Sequence, residues 1–598
     1  MYQDYISIIK EQAQRYKNRN ALYFKNLSSN TWEGISWTKL LQNIEQVARA
    51  LVADNLPENS TIGIFSQNMP EWTMSDLGIM LSRCISVPIY ASESSAYAKY
   101  IIDEAEISHV FVGEQIQYDK VLLLMGKCPS LKKIIVYDPA VDLHEREESV
   151  YFSDFIRNKK DENITAELKR RQKNMLPDDI ATIIYTSGTT GEPKGVILDQ
   201  QNILNTVQIH DERLNVSHKD VSMCFLPLSH VFERFWTYFV LAKGMTNYFL
   251  KNPKDIIHTI REVKPTIMCA VPRFFEKTYE AAMALLETSK PIEKKIFYWA
   301  LNIGYIRSEQ KRLHQKQPLW FHLKYLFANF IVLKKGRDVF GGRIRFMPCA
   351  GAPLSDHIIK FFHSAGIFIM YGYGLTETSA TVCCYPYQGF DRTSTGSLMP
   401  GVQVKIGEND EILVKGNGVT RGYYKKPKVT TESFSDGWFH TGDAGRLIDG
   451  IHLVVFDRIK DIIKTSSGKY IAPQKLELLV KNDPFFEQIA VIGNEKKYIS
   501  AIIFPSFSLL EKYAEEQGIR TSSRKELVNH PLIRKLYEEK LHHLQLELAH
   551  FERIKKFVLS SDELSVETGE MTPTLKIKRK VLAEKYKEVI DSMYKEEN

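Results

Sequence analysis

Three scarcities narrow the reading of this chain before any motif is considered. Its seven cysteines are scattered through 598 residues, with Cys383 and Cys384 adjacent and no C-x-x-C pair. That argues against a zinc site or a disulfide framework and suits a reducing cytosol. No uncharged apolar run approaches the roughly 20 residues that a membrane-spanning helix needs. The start, Met1-Tyr-Gln-Asp-Tyr-Ile-Ser7, lacks the basic segment and apolar core of a signal peptide. Charge of one sign is scarce as well: 79 basic and 72 acidic residues leave a formal net charge of +7. Over this length that excess does not indicate a nucleic-acid partner.

What is present reads as a large globular protein. The length predicts two or more domains, and 44% hydrophobic with 25% charged residues is ordinary for a packed chain. Leu40, Leu41, Ile44, Val47, Ala48 and Leu51 fall on one helical face, while Thr61–Phe65 and Ser86–Tyr90 read as strands. Alternation of this kind through residues 1–180 predicts an α/β fold, with helices covering a largely parallel sheet. There is no internal repeat and no low-complexity segment.

The most informative stretch is Tyr185-Thr-Ser-Gly-Thr-Thr-Gly-Glu-Pro-Lys-Gly-Val196. It follows Ile180–Ile184, a β-branched run predicted to be a buried strand ending at Tyr185. Three glycines, four Ser/Thr residues and one lysine occur within eleven positions. Glycine allows close backbone approach to an anion, successive N–H groups can form a nest for phosphate oxygens, and Lys194 supplies positive charge. It is not a Walker A loop, because Lys194 is followed by Gly195 and an apolar run rather than Ser or Thr opening a helix. Gly372-Tyr-Gly374 lacks the third glycine of a Rossmann fingerprint.

The Tyr185–Val196 string resembles the signature of the adenylate-forming superfamily, the AMP-dependent synthetases and ligases. Further strings occur in that superfamily's order. Ser66–Trp72 resembles its early structural motif. Phe225-Leu-Pro-Leu-Ser-His-Val-Phe-Glu-Arg234 and Ala270-Val-Pro-Arg-Phe-Phe-Glu-Lys277, with His230 and Arg273, are similar to the long-chain acyl-CoA synthetases. Arg343–Met347 and Gly366–Met370 are read as strands feeding Cys349–Leu354 and Tyr371–Thr378. By resemblance, Thr186, Ser187, Gly188, Thr189, Thr190, Gly191 and Lys194 hold phosphate. Gly351 and Ala352 line an adenine pocket with Tyr371 and Gly372, and Tyr373 lies against the base. Thr376 approaches phosphate, and Glu377 helps Thr186 hold Mg²⁺. Asp443, in Asp436–Asp443, accepts from ribose. His230 lies beside the substrate carboxylate.

In Phe456–Lys464 the resemblance makes Arg458 the ribose-contacting arginine, Lys460 the hinge pivot and Lys464 a phosphate-facing lysine. Ser466–Pro473 matches the pantetheine path, with Gly468 and Lys469 facing coenzyme A. Near the end, Lys576 is the candidate adenylation lysine, with Lys578 and Lys580 as alternatives. The implied architecture is an α/β N-terminal domain of several subdomains, with mixed sheets covered by helices, over 1–456. A hinge over 457–464 and a small mobile α+β domain over 465–598 complete it. Residues 278–340 form a helical insert whose aromatic and basic character suits packing on its own domain and contact with a bilayer surface. The implied activity is ATP-dependent conversion of a long-chain fatty acid to its CoA thioester through an acyl-adenylate. Two other readings are a fatty acyl-AMP ligase serving a carrier protein and a membrane-surface lipid-binding protein with a vestigial site. A cytoplasmic location, also peripheral on the inner membrane face, is expected, and the choice between monomer and homodimer stays open.

Overall fold

A computed structural model describes residues 2–26, 29–157, 161–186, 192–466, 469–565, 568–571 and 577–595. The expected residues Ser187, Gly188, Thr189, Thr190, Gly191, Gly468 and Lys576, and the side chain of Lys580, lie outside the described residues. The helix Trp37–Ala53 shows how the apolar pattern is used. Ser36 caps it by accepting from the Lys39 N–H at 3.2 Å. Leu40, Ile44, Val47, Ala48 and Leu51 are fully buried, whereas Leu41 is partly exposed. This face packs on the helix Pro70–Leu81, which begins with proline where no N–H is needed. Gly78 permits the approach, since a Cβ there would meet Val47 Cβ at 2.6 Å.

Thr61–Phe65 and Ile85–Ile89 lie side by side in a seven-stranded sheet. The strands run in space as 149–151, 133–136, 109–112, 61–65, 85–89, 180–186 and 194–199. All pairs are parallel except the last, Ile180–Thr186 with Lys194–Asp199. In that hairpin Thr186 pairs with Lys194. One antiparallel ladder therefore holds both described ends of the glycine-rich stretch.

A second, nine-stranded sheet carries the other half of the chemistry. Phe346–Cys349 and Phe368–Tyr373 pair in parallel at one edge, and the remaining strands are antiparallel, including Trp438–Ile448 beside His452–Arg458. The C-terminal part is smaller, with Phe486–Ile492, Ile499–Pro505 and Ile554–Leu559 forming a three-stranded mixed sheet. This is the α/β body with a small α+β C-terminal domain that the sequence implied. Some element bounds differ. The strand expected over Arg343–Met347 begins at Phe346, because Gly341 and Gly342, both at positive φ, turn the chain just before it. The strand expected from Gly366 begins at Phe368. Gly366 instead ends the helix Asp356–Ala365 in the left-handed conformation at φ +87°. The helix expected over Arg534–Leu548 runs Pro531–Leu544, started by Pro531 in its first turn.

Beneath the site, Arg234 and Asp76 form an ion pair with no exposed side-chain surface. Arg234 also donates to Tyr238 Oη at 2.8 Å and Thr182 Oγ1 at 2.7 Å, and Tyr238 Oη donates to Asp76 Oδ2 at 2.6 Å. This network joins the helices Pro70–Leu81 and Val231–Ala242 to the strand that ends at Thr186. Its neighbour Glu233 is fully buried and accepts from the Leu226 N–H at 3.3 Å. Burial pushes this carboxyl up to about 8, so it is protonated at neutral pH.

Removing one partner of a buried ion pair strands the other, at a cost of about 3–5 kcal/mol. Denaturant unfolding of Arg234→Met is expected to show that loss, and the double variant Arg234→Met/Asp76→Leu to recover much of it. Equal loss in both would contradict a charge-pairing role. For Glu233, the unfolded chain loses its proton near pH 4.5 while the folded chain holds it to about 8. Folding stability therefore falls as pH rises through that window. Glu233→Gln, which keeps the shape and the acceptor, is expected to flatten the fall and raise Tm by a few degrees at pH 8. Parallel Tm–pH curves for the two proteins would refute a buried neutral carboxyl.

Candidate active site

The site lies where strands from the two large sheets end together. Thr186 and Lys194 come from the hairpin of the first sheet. Tyr371, Gly372 and Tyr373 end the strand Phe368–Tyr373, and Thr376 and Glu377 occupy the short 3₁₀ turn Thr376–Thr378 just beyond it. Gly372 is required by packing, because a Cβ there would meet Cys383 O at 2.6 Å. Gly351 sits at φ +95° with open space around it, a conformation that favours glycine. Tyr371 Oη accepts from the Leu354 N–H at 3.4 Å, so this side chain braces the 351–354 loop containing Gly351 and Ala352.

Tyr423 joins the two halves, and no motif in the sequence reading pointed to it. Its hydroxyl donates to Glu377 Oε1 at 3.0 Å, and Lys194 Nζ lies 5.5 Å from its ring centroid. Gly422, at φ +140°, sets the chain direction just before it. The Thr420 N–H also donates to Glu377 O at 2.7 Å. Lys194, Tyr423 and Glu377 thus form one line, with Thr186 opposite Lys194 in the ladder. Mg²⁺ commonly takes one or two protein oxygens alongside phosphate oxygens. The Thr186 hydroxyl and the Glu377 carboxylate are a donor set of that kind. The described residues contain no cluster of three or more His, Cys, Asp or Glu that would hold a metal unaided.

On the neighbouring strands Asp443 is buried between two donors. Tyr373 Oη reaches its Oδ2 at 2.5 Å and Arg458 Nε its Oδ1 at 2.7 Å. Burial, then the Asp443 carboxylate, drive the Tyr373 phenol well above its usual range, so it stays a donor. Asp443 and Arg458, each expected at the ribose, are here paired with one another, with Tyr373 as a third member.

His230 caps the helix Val231–Ala242, its Nδ1 accepting from the Phe232 N–H at 3.1 Å, and its ring centroid lies 6.4 Å from that of Tyr90. One turn further along, Phe232, Phe235, Trp236 and Phe239 wall a narrow apolar cavity of about 30 Å³. Met370, Gly372 and Tyr373 close its other side, so the cavity abuts the Tyr373–Asp443 pair. Its polar lining includes His210, whose Nδ1 faces Thr206 O at 2.7 Å. Burial lowers His210 to about 4, leaving it neutral.

The junction of the two domains is also ordered by named contacts. Asp457 Oδ2 accepts from the Gln474 N–H at 2.9 Å, joining the strand His452–Arg458 to the helix Pro473–Val480. Burial pushes the Asp457 carboxyl up to about 6. Arg273 and Lys277 both pair with Glu487 of the C-terminal domain, the latter at 3.2 Å. Arg273, expected as a family mark, is thus a domain-interface residue. Lys460 is exposed in the turn Ile459–Asp461. Lys464 lies over the Tyr470 ring at 5.4 Å and Lys469 over Phe551 at 5.6 Å. No hydrogen bond or ion pair among the described residues ties either lysine to Glu377 or Asp443. Lys578 is near enough to Glu93, three residues from Tyr90, for its charge to oppose the burial that raises that carboxyl.

Comparison with known proteins bears on this arrangement. The AMP-binding enzyme family matches residues 9–424, and the AMP-binding enzyme C-terminal domain matches 460–598. The long-chain-fatty-acid–CoA ligase FadD15 of Mycobacterium bovis is 30% identical over 96% of this chain and 94% of its own. The peroxisomal long chain acyl-CoA synthetase 6 of Arabidopsis thaliana is 30% identical over 91% and 79%. Among solved structures, the adenylation domain of a Mycobacterium chelonae carboxylate reductase superposes with a TM-score of 0.76 at 21% identity, covering 99% of this chain and 91% of that one. The anthranilate CoA ligase AuaEII, solved with anthranoyl-AMP, gives 0.75 at 18%, covering 99% and 98%. The chain therefore belongs to the AMP-binding, adenylate-forming enzyme family, with long-chain-fatty-acid–CoA ligases among its full-length relatives.

Proposed function

We propose that this chain activates long-chain fatty acids, using ATP to form an acyl-adenylate and then coenzyme A to form the thioester, with release of pyrophosphate and AMP. The observation that carries the long-chain reading is the aromatic-walled cavity abutting Tyr373. Its lining, not its volume, supports the reading: it offers an acyl chain an apolar surface beside the nucleotide site, and at about 30 Å³ its aromatic walls must move apart to admit one. Its neutral His210 adds no charge that would oppose burial of an alkyl chain.

In the first step the fatty carboxylate oxygen attacks the α-phosphorus of ATP and pyrophosphate leaves. No protein nucleophile is needed, so catalysis rests on positioning and on charge stabilisation. Asp443, shared by Tyr373 and Arg458, fixes the ribose, while Gly351 and Ala352 admit the adenine. Lys194 and the glycine-loop amides bear on the phosphates. Thr186 and Glu377 would hold Mg²⁺, which would supply positive charge to the phosphate oxygens. Lys576 supplies further charge, and His230, two residues before the cavity-lining Phe232, orients the carboxylate. In the second step, rotation of residues 465–598 about Lys460 brings Gly468 and Lys469 toward the pantetheine arm. The thiolate then attacks the acyl carbon and AMP leaves. The proximity of Lys578 to Glu93 supports a C-terminal domain that presents this lysine to the N-terminal domain in the adenylating state.

The testing experiment is AMP release with ATP and Mg²⁺ over acids from acetate to oleate, with and without coenzyme A. Turnover peaking at long chains and requiring coenzyme A is expected. An adenylate that accumulates without a coenzyme A response would favour a carrier-loading ligase instead. Lys576→Ala is expected to lower adenylation at least a hundredfold, a loss of about 2.7 kcal/mol of transition-state stabilisation, while sparing thioester formation from supplied acyl-adenylate. The same selective loss in Lys578→Ala alone would transfer the role to Lys578.

A further inference from the structure

Twenty-three large apolar side chains are exposed among the described residues, and eleven of them lie between Leu285 and Phe330. They are not scattered over that stretch. In the helix Leu319–Ala328 and the π turn Asn329–Leu333 that continues it, Leu319, Leu323, Leu326 and Phe330 recur at spacings of four and three. Trp320 and Phe327 flank that row. Exposure reaches 77% at Leu319, 65% at Trp320 and 76% at Phe330. The opposite face of the same helix, with Phe321 and Ala328, packs on Ala300 and Ile303 of the helix Pro291–Arg312. The helix therefore has two apolar faces, and packing on its own domain accounts for only one. Phe327 meets Trp299 at 6.1 Å between centroids, extending the patch onto the 291–312 helix toward Ile296.

Charge decides what would cover this face. From Leu313 to Arg337 the chain has five Lys or Arg residues and no Asp or Glu. Lys316, Lys324, Lys334 and Lys335 are exposed and enter no ion pair described among the resolved contacts. A second copy of this chain would bring like charges together across a two-fold interface, whereas anionic lipid headgroups would neutralise them. A tryptophan and phenylalanine face with lysines beside it is what an interfacial helix presents to a bilayer. No helix among the described residues is long and apolar enough to cross one.

We propose that the helix Leu319–Ala328 seats this protein on an anionic bilayer, lying in the interface plane with Trp320, Phe327 and Phe330 among the acyl chains. Its use, collecting a membrane-dissolved acid, rests on the long-chain reading; the binding itself does not. Flotation of the full chain with phosphatidylglycerol-rich vesicles tests it without reference to turnover. Binding is expected to fall steeply with added salt and with pure phosphatidylcholine vesicles. Lys334→Gln/Lys335→Gln is expected to weaken it at least tenfold, since each cation near such a surface contributes about 1 kcal/mol. Trp320→Glu/Phe330→Glu is expected to abolish it, while leaving turnover of a water-soluble medium-chain acid unchanged. Vesicle binding equal to wild type in both variants would overturn the proposal. So would failure of the wild type to float, or a concentration-dependent dimer dissolved by Trp320→Glu/Phe330→Glu, which would assign the face to a second copy.

Discussion

A fully buried guanidinium is the constraint on which the rest of this structure depends. Arg234 reaches Asp76 on one helix, Tyr238 on its own helix and Thr182 on the strand that ends at Thr186. Thr182 in turn donates to Ser86 O in the next strand. Taking such a pair out of water costs several kcal/mol per ion, and its attraction repays this only when geometry is good and the remaining donors are satisfied. Here three elements must be in register at once for that to hold. A slip of the strand by one residue would turn Thr182 to the other face and leave the Arg234 Nη1 donor without its partner. The network therefore specifies where the strand ends more than it adds stability, and the strand's end is where the glycine-rich stretch begins.

The same logic explains why the two sheets can share one site. The first sheet delivers Thr186 and Lys194 through a hairpin; the second delivers Tyr373, Glu377, Asp443 and Arg458 from three different strands or the turns after them. What joins them is Tyr423, from a loop crossing between the sheets. Its phenol holds Glu377, while its ring lies near Lys194. An acid and a base 3–4 Å apart would pair and blunt each other toward an incoming phosphate. An intervening aromatic keeps both in the site and leaves each with capacity for a ligand.

Much of this was legible in the sequence, for reasons that can be stated residue by residue. The strand Ile180–Thr186 was visible because a β-branched run ends in glycine and hydroxyl residues that cannot continue it. Asp443 and Arg458 were each singled out through their ordered strings, although neither would stand out alone, and their pairing emerged only from the fold. Tyr423 was not, because a single tyrosine carries no periodicity and its role exists only after two sheets meet. Gly366 was misread as the start of a strand since sequence shows its apolar followers but not its left-handed φ. Arg273 was read as a mark of subfamily, and only the fold shows that it faces Glu487 across the domain junction.

The -Phe-Glu-Arg ending of the His230 string illustrates how such marks acquire physical meaning. The resemblance made this ending a mark of the long-chain acyl-CoA synthetases and set only His230 beside the carboxylate. In the fold, Phe232 lines the apolar cavity, Glu233 is a buried neutral acid, and Arg234 is the anchor of the strand. Three consecutive residues on one helical turn thus face cavity, core and sheet in succession, about 100° apart. A helix in that position can widen or narrow this cavity only by moving Arg234 as well. The width of the cavity is therefore coupled to the end of the strand Ile180–Thr186. Changes confined to Phe235, Trp236 and Phe239, which line the cavity beyond the anchor, are the ones free to alter it alone.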